Sequence, residues 1–185
     1  MGFYIFFVIF VIVIIFLFSS KALSPIPYFP SNKHDLPLII KALNLKNNQT
    51  VIDLGAGDGI VIFEAAKVAY KRKLNTRFVA VEINPVLILV LHLRRLFHPN
   101  RQNIRIVLAD MFKFNFMNFI NFKNLITVYL YISPWYLEKI IENCKLKIEN
   151  FHVVSYMYPV ESLKNKKKII KGKNKIFSYL FSTTT

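Results

Sequence analysis

The sequence predicts an α/β fold: repeated βα units on a parallel sheet, an antiparallel hairpin closing that sheet, and one membrane-spanning helix ahead of it. Three observations carry this reading. Seventeen of the first 18 residues are apolar, with only Gly2 excepted. From Ser31 onward, apolar runs rich in β-branched residues alternate with helical patterns, as βα units require. Beyond Tyr158 the pattern changes to strand, turn, strand.

The N-terminal residues 1–20, at about 1.5 Å per residue, make a helix of roughly 30 Å, which matches a bilayer core. A cleavable signal peptide would need a basic region before the apolar run, and no Lys or Arg precedes it. Lys21 and Lys33 follow the run, so the positive-inside rule makes this a single-pass protein, N-terminus out. The rest of the chain then lies in the cytoplasm, or on the corresponding inner side of an organelle membrane. Residues 21–30 contain Pro25, Pro27 and Pro30 and read as an extended linker. Residues 31–185 are long enough for one domain with its own core.

Within that domain, strands are expected at Thr50–Leu54, Phe78–Glu82, Ile104–Ala109, Leu125–Ile132 and His152–Tyr158. Helices are expected at His34–Leu45, Gly59–Tyr70, Pro85–Phe97 and Pro134–Ile148. Ser133 and Pro134 supply the usual start signals of the last helix. Lys168–Lys171, Gly172-Lys173-Asn174 and Lys175–Ser182 form the closing hairpin.

Charge and cysteine content narrow the function. The single Cys144 excludes a disulfide scaffold and fits a reducing compartment. Neither it nor the four histidines fall into a metal-ligand spacing, so no metal is expected. The net charge of +15 lies wholly after residue 20. It fits an anionic partner, or a coding bias that also enriches Asn and Phe.

Three of only five glycines sit in Asp53-Leu54-Gly55-Ala56-Gly57-Asp58-Gly59. A glycine-rich turn at a strand's carboxyl end lets a ligand approach the main chain and exposes helix N-terminal amides. Ile60 stands where a dinucleotide fingerprint needs glycine, and no Gly-Lys-Ser/Thr follows, which excludes a P-loop. Asp53 and Asp58 repel a pyrophosphate and suit a cationic ligand bearing an amino acid, S-adenosyl-L-methionine. Glu82, 23 residues beyond Gly59, stands where a carboxylate accepts ribose hydroxyls, and Asp110 ends the third strand where it can accept the adenine amine. Candidate cofactor contacts are thus Asp53, Gly55, Ala56, Gly57, Asp58, Gly59, Glu82, Ile83, Asp110 and Met111. Singly, Asp53 and Asp110 also read as turn formers or caps and Glu82 as a surface acid.

These motifs resemble the class I S-adenosylmethionine-dependent methyltransferases over about residues 35–182, which implies a doubly wound, mostly parallel seven-stranded sheet of Rossmann-like type. More narrowly, the chain looks like the protein lysine methyltransferases that include those of the ATP synthase c-subunit and the adenine nucleotide translocase, with an archaeal relative. The shared features are the N-terminal anchor, Pro27-Tyr28-Phe29-Pro30-Ser31, Gly57-Asp58-Gly59, Glu82-Ile83-Asn84-Pro85 and Val154-Ser155-Tyr156. The resemblance implies that Tyr28 and Ser31 lie against the methionine end of the cofactor; a rigid linker with Tyr28 at the membrane interface explains the same residues. Ile60 departs from the arginine that relatives carry.

Tyr131-Ile132-Ser133-Pro134-Trp135-Tyr136 follows the fourth strand, where these enzymes receive the methyl acceptor. Ser133-Pro134-Trp135-Tyr136 is one residue away from the [Asp/Asn/Ser]-Pro-Pro-aromatic tetrapeptide of amino-group methyltransferases. Tyr131, Ser133, Trp135 and Tyr156 are the candidate catalytic residues; equally, Ser133 caps a helix and the aromatics pack. The sequence therefore reads as a membrane-anchored methyltransferase acting on a lysine of a membrane-associated protein, with no stable nucleic-acid partner. A nucleic-acid amino-methyltransferase, a small-molecule or lipid-headgroup methyltransferase and a non-enzymatic module are the alternatives. Seven lysines in Lys164–Lys175 fit an anionic lipid surface or a solvated edge hairpin.

Overall fold

The computed structural model describes residues 1–19, 29–119, 125–148 and 150–182. Seven strands among them form one sheet in the order β3-β2-β1-β4-β5-β7-β6. The parallel strands are β1 (Gln49–Leu54), β2 (Thr76–Glu82), β3 (Ile104–Leu108), β4 (Leu125–Leu130) and β5 (Asn150–Tyr156). Strands β6 (Lys167–Lys171) and β7 (Lys175–Ser182) complete the sheet as an antiparallel hairpin on β5. This is the doubly wound architecture expected, and the order reverses at β1 and β4, the switch point where such sheets open a crevice.

Continuous apolar burial explains the central strands: β1 is buried along its whole length, as a strand covered on both faces must be. One face packs Ile52, Val79, Val128 and Phe151 with Leu137 and Ile141 of α5 (Pro134–Lys145). The other packs Val51, Phe78, Ala80 and Val154 beneath α2 (Leu36–Leu43), α3 (Ile60–Lys71) and α4 (Pro85–Leu96). Each fully buried Phe or Leu contributes on the order of 2 kcal/mol through area removed from water.

Several boundaries differ from expectation for local reasons. Helix α2 starts at Leu36, not His34, because residues 33–35 form a turn and Asp35 occupies the N-cap position. Strand β5 ends at Tyr156 because Met157 adopts φ +70° and donates its amide to Lys175 O. Ser133 takes the N-cap position of α5 as expected, but its hydroxyl makes no cap bond.

The N-terminal expectation is overturned. Helix α1 spans Gly2–Ser19, and no helix among the described residues is long and apolar enough to cross a membrane. Eighteen residues at 1.5 Å each extend about 27 Å, less than the roughly 30 Å of a typical hydrocarbon core. The single-pass anchor and the sidedness drawn from Lys21 and Lys33 are withdrawn with it. Residues 20–28, most of the expected linker and Tyr28 with it, lie outside the described residues.

Candidate functional site

Strand β1 delivers the chain into a turn whose three glycines all have positive φ: +84° at Gly55, +57° at Gly57 and +75° at Gly59. Two of them are also sterically required. A Cβ on Gly59 would lie 2.5 Å from Leu91 Cδ2 and 2.7 Å from Phe63 Cε2, and one on Gly55 would lie 2.8 Å from Met111 Cε. The Gly55 and Ala56 amides both donate to Val81 O at 2.9 Å, tying the turn to β2.

Glu82, at the end of β2, organises the neighbouring loop. Its Oε2 accepts the Gly57 amide at 2.8 Å, while Oε1 accepts the Ile83 and Asn84 amides at 2.8 and 2.9 Å. The Asn84 side chain in turn caps α4 by accepting from Val86 and Leu87. One carboxylate thereby fixes the glycine turn and the β2–α4 loop relative to each other.

Asp53 is the opposite case. It is 3 % exposed, and no hydrogen bond supports its carboxylate among the described residues. Burial, then the charges of Glu82 and Asp58, raise its pKa well above the usual carboxylate range. An uncompensated buried acid facing a cleft is a site prepared for a cation.

A cleft open to solvent lies beside it. Of the expected residues, Ser31, Asp53, Gly55, Ala56, Gly57, Asp58, Glu82, Ile83, Met111 and Tyr131 line it. Gly59, Asp110, Ser133, Trp135 and Tyr156 are not on its wall. Asp110 accepts the Phe112 amide at 2.9 Å, the turn-forming role that was its alternative. Trp135 is 84 % exposed at the start of α5, so it does not pack as a core aromatic. The hydroxyl of Tyr156 donates to Asp35 Oδ2 at 2.7 Å, and its ring meets that of Tyr131 edge-on at 4.9 Å.

Other wall residues carried weaker sequence signals. Phe29, Pro30, Ile60, Val61, Leu87, Tyr129 and Ile132 complete the wall, and the Tyr129 hydroxyl shares a 2.9 Å hydrogen bond with Ser31 Oγ. Burial raises the pKa of Tyr129 well above its ordinary value, against the Ser31 bond; burial, then Tyr158, raises that of Tyr131. Arg94 on α4 donates from Nη1 to Asp58 O at 2.7 Å and Oδ2 at 2.8 Å, bracing the turn from outside while stacking over Phe63. An arginine on a helix without acids of its own was the available signal for this contact.

The Asp53 carboxylate and the glycine-opened main chain fit S-adenosylmethionine, whose sulfonium and ammonium are cationic. Glu82 keeps lone pairs on Oε2 beyond its single Gly57 donor, as ribose hydroxyls would need.

The family model described as ribosomal RNA adenine dimethylase matches residues 28–156. Among solved structures, an RNA methyltransferase from Salinibacter ruber in complex with S-adenosyl-L-homocysteine superposes with a TM-score of 0.68 at 17% identity, covering 85% of this chain and 96% of that one. Precorrin-6y C5,15-methyltransferase from Geobacter metallireducens gives 0.59 at 16% identity over 89% and 92%. M. capricolum TrmK in complex with S-adenosyl-homocysteine gives 0.53 at 14% identity over 80% and 68%. No curated protein matches the sequence.

Proposed function

The chain belongs to the ribosomal RNA adenine dimethylase family and is a class I S-adenosylmethionine-dependent methyltransferase; on that premise we propose that the methyl acceptor is an amine nitrogen. The observation that supports this reading is the wall facing Asp53: Phe29, Pro30, Tyr129, Tyr131 and Ile132, aromatic and apolar, without a cation.

Bound S-adenosylmethionine supplies a methyl group activated on a sulfonium. Asp53 would hold the cationic amino-acid end, Glu82 the ribose, and the Gly55–Gly59 turn would leave room for the ligand against the main chain. Methyl transfer needs a neutral nucleophile in line with the methyl carbon at about 3–3.5 Å, so placement carries most of the catalysis. A lysine amine, with a reference pKa near 10.4, arrives protonated from water. The apolar wall disfavours its charged form and promotes loss of the proton to solvent. Tyr129 and Tyr131, held protonated by burial, are not bases. They offer ring faces and hydroxyls to the positive charge that develops on nitrogen.

Among amines, a protein lysine is the first reading, because its apolar stem suits this wall and because Ser31, one of the two residues that the lysine-methyltransferase resemblance sets against the cofactor, lines the cleft. An exocyclic base amine of RNA is the second, favoured by the family match and by exposed Trp135 at the carboxyl end of β4, a surface on which a base can stack. Transfer of tritiated methyl into cell extract, sorted by protease and nuclease, tests both. Label removed by protease alone supports the lysine reading, and label removed by nuclease alone supports the base reading. Label surviving both would reject macromolecular amines.

A further inference from the structure

Asp35 was given no role by the sequence, yet it is the most heavily bonded carboxylate among the described residues. It is 1 % exposed and carries no ion pair among them. Its Oδ1 accepts the Lys173 amide at 2.6 Å, and Oδ2 accepts the Asn174 amide at 2.9 Å, Asn174 Nδ2 at 3.2 Å and the Tyr156 hydroxyl at 2.7 Å. Asn174 Nδ2 also donates to the Tyr156 oxygen at 2.8 Å, closing a triangle of three side chains. The geometry is tight enough to fix the residue at the hairpin turn: a Cβ on Gly172 would lie 2.3 Å from Asp35 Oδ1.

This triangle joins three parts of the chain far apart in sequence: the approach to α2, the end of β5 and the tip of the β6–β7 hairpin. Two of its members lead straight to the cleft. Asp35 ends the short turn that begins just after Ser31, whose hydroxyl bonds Tyr129 in the cleft wall. Tyr156 supports the ring of Tyr131, also in that wall. The hydrogen bonds that tie the hairpin tip to this part of the chain run to Asp35 and Tyr156.

We infer that Asp35, Tyr156 and Asn174 form a positioning clamp, by which the C-terminal hairpin holds segment 29–31 and Tyr131 in place around the methyl-transfer cleft. The inference rests on the reading of that cleft as the cofactor site. Loss of the clamp loosens one wall of the site while leaving Asp53, Glu82 and the glycine turn intact.

The test is calorimetric titration of S-adenosylhomocysteine into the full chain and its variants. Asn174→Ala and Tyr156→Phe are each expected to weaken binding about tenfold, equivalent to about 1.4 kcal/mol. In a Ser31→Ala background the Asn174→Ala effect should shrink to less than about threefold, because the segment through which it acts is already released. Ser178→Ala, which breaks a hydrogen bond midway along the same strand β7, should leave affinity unchanged; a matched loss there would mean that the clamp is merely structural and would overturn the inference. Wild-type affinity in Asn174→Ala and Tyr156→Phe, beside lost affinity in Glu82→Ala, would overturn the clamp alone. Wild-type affinity in Glu82→Ala would overturn the cleft assignment and the clamp's role with it. Should Tyr156→Phe fail to fold, Asn174→Ala, at the hairpin tip, carries the decision.

Discussion

At the amino ends of the central strands, Gln49 Nε2 donates to Thr127 Oγ1 at 2.7 Å and to Leu43 O at 3.1 Å, and His152 Nε2 shares a 2.8 Å hydrogen bond with Ser178 Oγ. These are neutral groups, paired across four strands and closed to solvent. Thr50 Oγ1, on the other face of β1, lacks a partner there, but it carries no charge. At the carboxyl ends of the same strands the chain instead places three positive-φ glycines and, among the described residues, a carboxylate satisfied only by main-chain amides and a second buried carboxylate with no hydrogen bond. One sheet thus ends in a polar network that stabilises the fold and in a polar cluster that works against it. The unfavourable end is where a cationic ligand would restore the balance.

Replacing Glu82 breaks that comparison most severely. Glu82→Ala removes the acceptor for the Gly57, Ile83 and Asn84 amides together with the proposed ribose contact. S-adenosylmethionine affinity is expected to fall about 100-fold, measured by calorimetry. The melting temperature should also drop, since the turn loses its tie to β2.

The pH dependence of stability separates the two ends by sign. Burial, then nearby Lys46, lowers the pKa of His152 to about 4, whereas the unfolded chain takes its proton near the ordinary 6.5. The unfolded state therefore binds more protons between those values, and stability is lost as pH falls from 6.5 towards 4, by up to about 3 kcal/mol. Urea midpoints at pH 7, 5.5 and 4.5 should show this loss in the wild type. His152→Gln, which cannot take the proton, should flatten it.

Arg94→Met sharpens the comparison by removing the outer brace of the glycine turn, and with it the partner of Asp58, while leaving Asp53 and Glu82 in place. Because the Arg94–Asp58 pair is partly exposed, the expected loss of S-adenosylmethionine affinity is only about fivefold. Ser178→Ala should have the smallest effect, a stability loss of about 1 kcal/mol by urea titration.

Much of this arrangement was legible in the sequence. The βα alternation gave the five parallel strands to within a few residues, the central ones because strands buried on both faces must be continuously apolar, and the strand–turn–strand pattern beyond Tyr158 gave the hairpin. The clustering of three of five glycines beside Asp53, with Glu82 one unit later, gave the cleft, because a ligand-binding turn restricts residue type at each position. The N-terminal apolar run was misread as a membrane span, since hydropathy reports composition while spanning also depends on helix length. The roles of Asp35 and Arg94 lay beyond the sequence because each depends on a partner 36 or more residues away. Asp35 in particular looks like an ordinary helix cap until the hairpin tip folds onto it. Tyr156 and Asp110, expected at the acceptor and the cofactor, have hydrogen-bond partners within the protein and stand off the cleft wall.

The most direct test is one variant measured in two ways. Asp53→Asn keeps the shape of the side chain and removes the charge that burial opposes. Since the folded state holds the Asp53 carboxyl well above its ordinary pKa, that group withdraws stability as pH rises above 3.8. At pH 7.5 the variant should therefore unfold at a higher urea concentration than the wild type, while S-adenosylhomocysteine, expected to bind the wild type one to one, loses most of its affinity. Undiminished binding by Asp53→Asn, or a lower urea midpoint, would contradict the view that the carboxyl end of the sheet gives up stability to hold a cation.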